Sequence, residues 1–192
     1  MGPPTIEPFT ENGREYERVT YGDVTIILQG KVLQTRFKAA IDLMMEHSPP
    51  PAGVYPFIFV GEVGDEHAAG RRVQRGSIVH TQFVEDFPEF AGYENIILLP
   101  APLEPPTEEW AGLLVHEIRH FGHQTPQGPP TEATTKFMIE CEADAYRVER
   151  EFYRRLKIPS KRRKALLDRS RKNEAAARPA YLEYIRPKEM GK

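Results

Sequence analysis

The sequence predicts an α+β domain with helices packed on one mixed sheet, and three observations carry that prediction. Short β-favouring and apolar runs bounded by turn residues fill the first hundred positions. A single helical pattern interrupts them. Beyond the proline-rich segment Pro100 to Pro106, every further pattern is helical. A chain of 192 residues with 28% charged side chains fits one domain, able to bury roughly 70% of the surface its unfolded chain exposes.

Residues 1–14, rich in Pro, Gly and Glu, read as a flexible leader. Tyr16 to Tyr21 and Val24 to Gln29 favour strand and flank the turn pair Gly22-Asp23, which makes a hairpin. From Lys31 to His47, Leu33, Phe37, Ala40, Ile41 and Met44 recur at helical spacing, and Ser48-Pro49-Pro50-Pro51 stops the helix. Tyr55 to Val60 and Ile96 to Leu99 read as buried strands, with Ser77 to Phe83 a weaker candidate between them. Thr107 reads as an N-cap followed by Glu108 and Glu109, where the helix dipole favours acids. That helix runs to about Phe121, with Gly122 as its stop. Gln124 to Pro130 is a loop, Thr131 to Leu156 a long helix, and 160–176 another, rich in Arg and Lys. The expected division is a leader at 1–14, a body at 15–158, and a basic helical extension at 159–192 packed on or beside it.

Several classes are disfavoured. Cys141 is the single cysteine, so no internal disulfide framework exists, and a reducing compartment fits. No run approaches the 18 or so apolar residues of a membrane span. Met1-Gly2-Pro3-Pro4 lacks the basic and apolar regions of a secretion signal, and Ile6 breaks the myristoylation pattern. The expected location is cytoplasmic or otherwise soluble, with secretion after loss of a signal left open.

Chemistry concentrates in Val115-His116-Glu117-Ile118-Arg119-His120, an H-E-x-x-H motif inside the helix that starts near Thr107. Imidazoles at i and i+4 stand one turn apart on one face, so both can reach one tetrahedral metal ion. Glu117 lies about 100° around the helix, near enough to meet a metal-bound water as general base without being a ligand. Trp110, Leu114, Ile118 and Phe121 cluster roughly opposite His116, one face for the core and one for a cleft.

A catalytic zinc needs a third protein ligand. The next helix carries Glu140-Cys141-Glu142-Ala143-Asp144. Glu140 and Asp144 share a face, whereas Glu142 points about 160° from Asp144, so only one glutamate can face the metal. Glu140 borders the apolar stripe of Phe137, Cys141, Ala145, Val148 and Phe152, and Asp144 can hold a ligand histidine through its distal nitrogen. Glu142 has only Tyr146 one turn on. The expected ligands are therefore His116, His120 and Glu140, supported by Asp144.

H-E-x-x-H followed on a later helix by E-x-x-A-D resembles the gluzincin zinc metallopeptidases. The pattern is most similar to the catalytic core of the family that includes the CAAX prenyl peptidases and HtpX-type proteases, without that family's membrane helices. The resemblance implies one Zn2+ on His116, His120 and Glu140, water activation by Glu117, and hydrolysis of a peptide or protein substrate. It also implies a zincin-like fold, in which Lys31 to His47 corresponds to the backing helix and Asn95 to Leu99 to a substrate-binding edge strand. The alternatives are a non-catalytic binding or effector module that keeps the fold, and hydrolysis of a non-peptide amide.

His123, three residues past His120, has a loop or supporting role, and Cys141 is a small buried hydrophobe. Arg119 points away from the metal face. His123, Tyr146, Arg147 and Tyr153 are all candidates to donate to the oxyanion. Arg147 to Lys172 holds twelve Lys or Arg against three acids, a balance of +9 that leaves −11 elsewhere in a total of −2. Most simply this is a solvated face, and the sharper reading is a docking surface for an acidic partner. No motif for nucleic acid accompanies it.

Overall fold

The computed structural model describes residues 4–11, 14–22, 24–29, 34–51, 57–61, 79–81, 96–100, 106–123 and 131–185. Strand β1 (Thr5–Glu11) lies where a flexible leader is expected, paired antiparallel over its whole length with β2 (Arg14–Tyr21). Its alternation explains the correction. Phe9 stacks on Tyr16 with ring centroids 5.2 Å apart, Arg18 sits over the Phe9 ring, and Arg18 pairs with Glu7. Cross-strand pairs of this kind stabilise a ribbon that composition alone reads as loose.

β2 turns into β3 (Val24–Gln29) with Tyr21 opposite Val24, and Gly22 takes the left-handed φ of 55° that a two-residue hairpin turn needs. β3 runs parallel to β4 (Phe57–Gly61), so the chain needs a crossover, which α1 (Gln34–His47) supplies. β6 (Ile96–Pro100) pairs with β4 on one side and with the short β5 (Val79–Thr81) on the other. The sheet order is β1-β2-β3-β4-β6-β5, antiparallel at both margins and parallel in the middle. The strand expected at the edge, Asn95 to Leu99, is therefore an inner one. Among the described strands the edges are β1 and β5.

Among the described residues four helices follow one another in space as in sequence. α2 (Thr107–Phe121) packs between α1 and α3 (Glu132–Arg155), and α4 (Ser160–Ile185) packs on α3. Pro106 occupies the N-cap of α2, so Thr107 is its first helical residue rather than its cap. Thr131 caps α3, its hydroxyl accepting from the Thr134 amide while the Thr134 hydroxyl accepts from the Thr131 amide. α4 continues past the expected end at 176, through Ala175 to Ala177 and over Pro179. The segments expected as bridge and loop, 101–105 and 124–130, lie outside the described residues.

One core joins Val19 and Tyr21 of β2, Ala40, Ile41 and Met44 of α1, Trp110, Leu114 and Ile118 of α2, Phe152 and Leu156 of α3, and Leu166 of α4. Leu114 and Ala111 are fully buried. Burying each large apolar side chain contributes about 1.5–3 kcal/mol, so this face fixes how α2 is rotated and turns His116 toward α3. α4 spends much of its charge internally. Arg162 pairs with Glu108, Arg169 with Glu109 and Arg150 with Glu174, and Arg163 donates to the carbonyls of Leu156 and Ile158 in the turn between α3 and α4. No helix among the described residues is long and apolar enough to cross a membrane.

Candidate metal centre

His116 and His120 stand one turn apart on α2 with their Nε2 atoms 3.1 Å apart. The carboxylate that meets them belongs to Glu142. Its Oε2 lies 3.4 Å from His116 Nε2, and its Oε1 lies 3.5 Å from His120 Nε2. In a tetrahedral site with bonds of about 2.0–2.1 Å, neighbouring ligand atoms are about 3.3–3.4 Å apart. Each oxygen of the Glu142 carboxylate approaches one imidazole at close to that spacing, and one ligand atom from each of the three residues lies within 4.8 Å of the others, a group able to hold a metal ion.

Glu140 does not belong to the group. It is exposed on the opposite side of α3. The apolar stripe places the buried face correctly only in part. Cys141, Ala145 and Phe152 are buried, but so are Thr135, Glu149 and Tyr153, while Phe137 and Val148 are only half-buried. The centre of the buried face is therefore shifted toward Glu142. The legible signal was the period itself: Thr135, Glu142 and Glu149 follow at intervals of seven, with Tyr146 and Tyr153 one turn after each glutamate. The E-x-x-A-D register of the resembling family is thus not the one that meets these histidines.

Asp144 also has another role. It accepts from Arg119 of α2, from Arg147 one turn on, and lies 3.3 Å from His123 Nε2. It touches neither His116 nor His120 among its recorded contacts, and it clasps the end of α2 to α3. Burial works to raise its pKa, but the hydrogen bonds from Arg147 and Arg119 outweigh that and hold it at about 2. The supporting position is taken by Glu149, whose Oε2 lies 3.5 Å from His116 Nδ1. This is an ionic contact without hydrogen-bond geometry, and Nδ1 is otherwise a buried nitrogen with no partner.

The electrostatics favour a cation. Burial alone would lower the His116 pKa, yet contacts with Glu142 and Glu149 and the charge of Glu117 push it up to about 10. The cluster of carboxylates thus favours positive charge at His116. A divalent ion is the larger charge for the same place. Glu117, half-buried beside the group, is pushed up to about 7 by desolvation and by Glu142 and Glu149, against the opposing charge of His116. A carboxyl poised there can both take and return a proton at neutral pH.

Of the candidate donors, Arg147 is engaged by Asp144 and Glu151, and Tyr153 lies deep against Gly112. His123 faces Asp144 through Nε2. Tyr146 stands edge-on to His116 with ring centroids 4.3 Å apart, and desolvation together with Glu142 and Glu149 raises its pKa, so it keeps its proton. Cys141 is buried, as expected from its side of α3. Comparison of the chain with protein-family models, with curated proteins and with solved structures finds no match.

Proposed function

We propose that the protein is a zinc-dependent peptidase of the gluzincin type, with His116, His120 and Glu142 as ligands and Glu117 as general base. The observation that carries the reading is the triangle of two Nε2 atoms and one carboxylate, at 3.1 to 3.5 Å, with a carboxyl of pKa about 7 on the adjacent residue. A purely structural metal site has no use for such a base. The mixed sheet, the crossover helix α1, and two ligand-bearing helices are compatible with a zincin-like fold.

Zinc, when bound, supplies Lewis acidity that polarises the scissile carbonyl and brings the pKa of water near 7. Glu117 takes the proton of the attacking water and returns it to the leaving amine, so its carboxyl ends the cycle as it began. Tyr146, protonated and beside His116, is the donor best placed to steady the oxyanion. Glu117→Gln tests the reading, with zinc content and hydrolysis of a peptide library measured together. Gln keeps the shape but cannot take the proton, so zinc should stay while the rate falls at least about 100-fold. Equal activity in the variant would remove Glu117 from the chemistry. No hydrolysis by wild type would favour a binding module instead.

A further inference from the structure

α4 divides its charge between two sides. On the inward side Arg163, Leu166, Ser170, Glu174 and Ala177 are buried or half-buried, and Arg163 and Glu174 are engaged by Leu156 and Arg150. Arg162 and Arg169, on the flank, pair with the two acids in the first turn of α2. The opposite side is exposed along its length and carries Lys161, Lys164, Arg171, Lys172 and Arg178 with a single acid, Asp168. Asp168 pairs with Arg171, and the other four cations form no ion pair with a described residue. Lys164, Arg171 and Arg178 follow at intervals of seven, so each stands about two turns, roughly 10 Å, beyond the last on one face. The first turn of α4 holds no acid, although the positive end of the helix dipole favours one there. Lys161 and Lys164 thus work against the helix, a local cost with no compensating contact among the described residues.

We infer that the outward face of α4 is a docking surface for an acidic polypeptide segment, whose carboxylates meet the row of Lys164, Arg171 and Arg178. The inference does not depend on the metal reading. Its physical basis is charge complementarity at short range. Salt confines the field of exposed charges to about 10 Å at about 0.1 M. A partner at this face therefore meets the local balance of five cations and one acid rather than the net charge of −2. A segment of spaced carboxylates matches so narrow a row. Duplex nucleic acid draws its affinity from many phosphate contacts, and a row one helix wide offers few. The outward positions carry no aromatic side chain for bases to stack on, and nothing apolar larger than Ala165 and Ala175 to enter a bilayer.

The test is binding of a labelled oligoglutamate peptide to the full chain, followed by fluorescence anisotropy. About ten residues suffice, since such a peptide when extended spans the roughly 25 Å from Lys161 to Arg178. Lys164→Glu combined with Arg178→Glu breaks no ion pair to a described residue, so the fold should survive. That variant should bind the peptide at least about 10-fold more weakly, because exposed attractions are reversed and not merely removed. Raising salt from about 0.1 M to about 1 M should abolish wild-type binding, since charges then act only within about 3 Å. Lys38→Glu combined with Lys136→Glu changes the net charge by the same amount elsewhere and should bind as wild type does. Unchanged melting temperatures check that both variants are folded. Equal loss in the second variant, or no loss in the first, would overturn the inference. So would a wild type that ignores the peptide, or that binds duplex DNA or phosphatidylserine vesicles more tightly than the peptide at the same salt.

Discussion

Helices α2 and α3 face one another across the same cluster but divide their surfaces differently. α2 keeps its two roles apart. Trp110, Leu114 and Ile118 bury against the core, while His116 and His120 project from another side and Glu117 stands beside them. α3 merges them. Its buried face carries Cys141, Ala145 and Phe152 together with Glu149 and Tyr153, and Glu142 borders it. On a helix with separated faces the apolar side chains and the polar groups lie against different neighbours. One with mixed faces must partner every buried carboxylate, because an unpaired buried charge is costly. On the proposed reading, α2 supplies two ligands and the base, and α3 supplies the third ligand together with the environment that desolvates and orients them.

The sharpest way to break this comparison is to exchange the two glutamates of α3. Glu142→Ala should abolish stoichiometric zinc binding, and Glu140→Ala should leave zinc content after dialysis unchanged. Retention of zinc by the first or its loss from the second would return the ligand to Glu140 and put α3 in a different rotation. Next in size, Tyr146→Phe should keep zinc and lower kcat about 100-fold, the scale of losing one oxyanion donor. An unaltered kcat would leave Tyr146 as packing for the His116 ring.

Asp144 sharpens the comparison from the other side, since it is a carboxylate of α3 engaged by Arg119, Arg147 and His123. Asp144→Asn should leave zinc affinity unchanged but cost stability of about 1 kcal/mol or less, because its arginine partners are substantially exposed. Its folded pKa, about 2, lies below the ordinary value, which is about 3.9. The stability it provides is therefore full above about pH 4 and lost as pH falls through 2. Chemical denaturation at a series of pH values should show wild type and variant converging in that window. A gap undiminished at pH 2 would mean the clasp does not act through charge. The smallest effect is expected at the exposed Lys161 and Lys164 of α4, which form no recorded ion pair. Reversing both to Glu should spare small-peptide turnover, whereas Arg162→Glu should also lower the melting temperature through its lost pairing with Glu108.

Much of this arrangement follows from local patterns, and the remainder follows from packing. The H-E-x-x-H spacing settles that His116 and His120 share a face, because helix geometry is a property of the backbone alone. The hairpin at Gly22, the capped start of α3 and the apolar side of α1 are likewise local, and the structure has them where their residues place them. The strand in the supposed leader depended on pairing of Phe9 with Tyr16 across the ribbon, a contact between residues that composition counts separately. The rotation of α3 depended on what α2 offered it. Both Glu140 and Glu142 border apolar residues in sequence, and the choice between them was made by the close approach at Gly112 and by two imidazoles able to take a half-buried carboxylate. An apolar stripe is read from one helix, but the partners that make a buried charge tolerable lie on another. For that reason the sequence by itself determined that His116 and His120 share a face with Glu117 beside them, and only the tertiary structure decided which carboxylate joins them in a group able to hold a metal ion and which one lies behind His116.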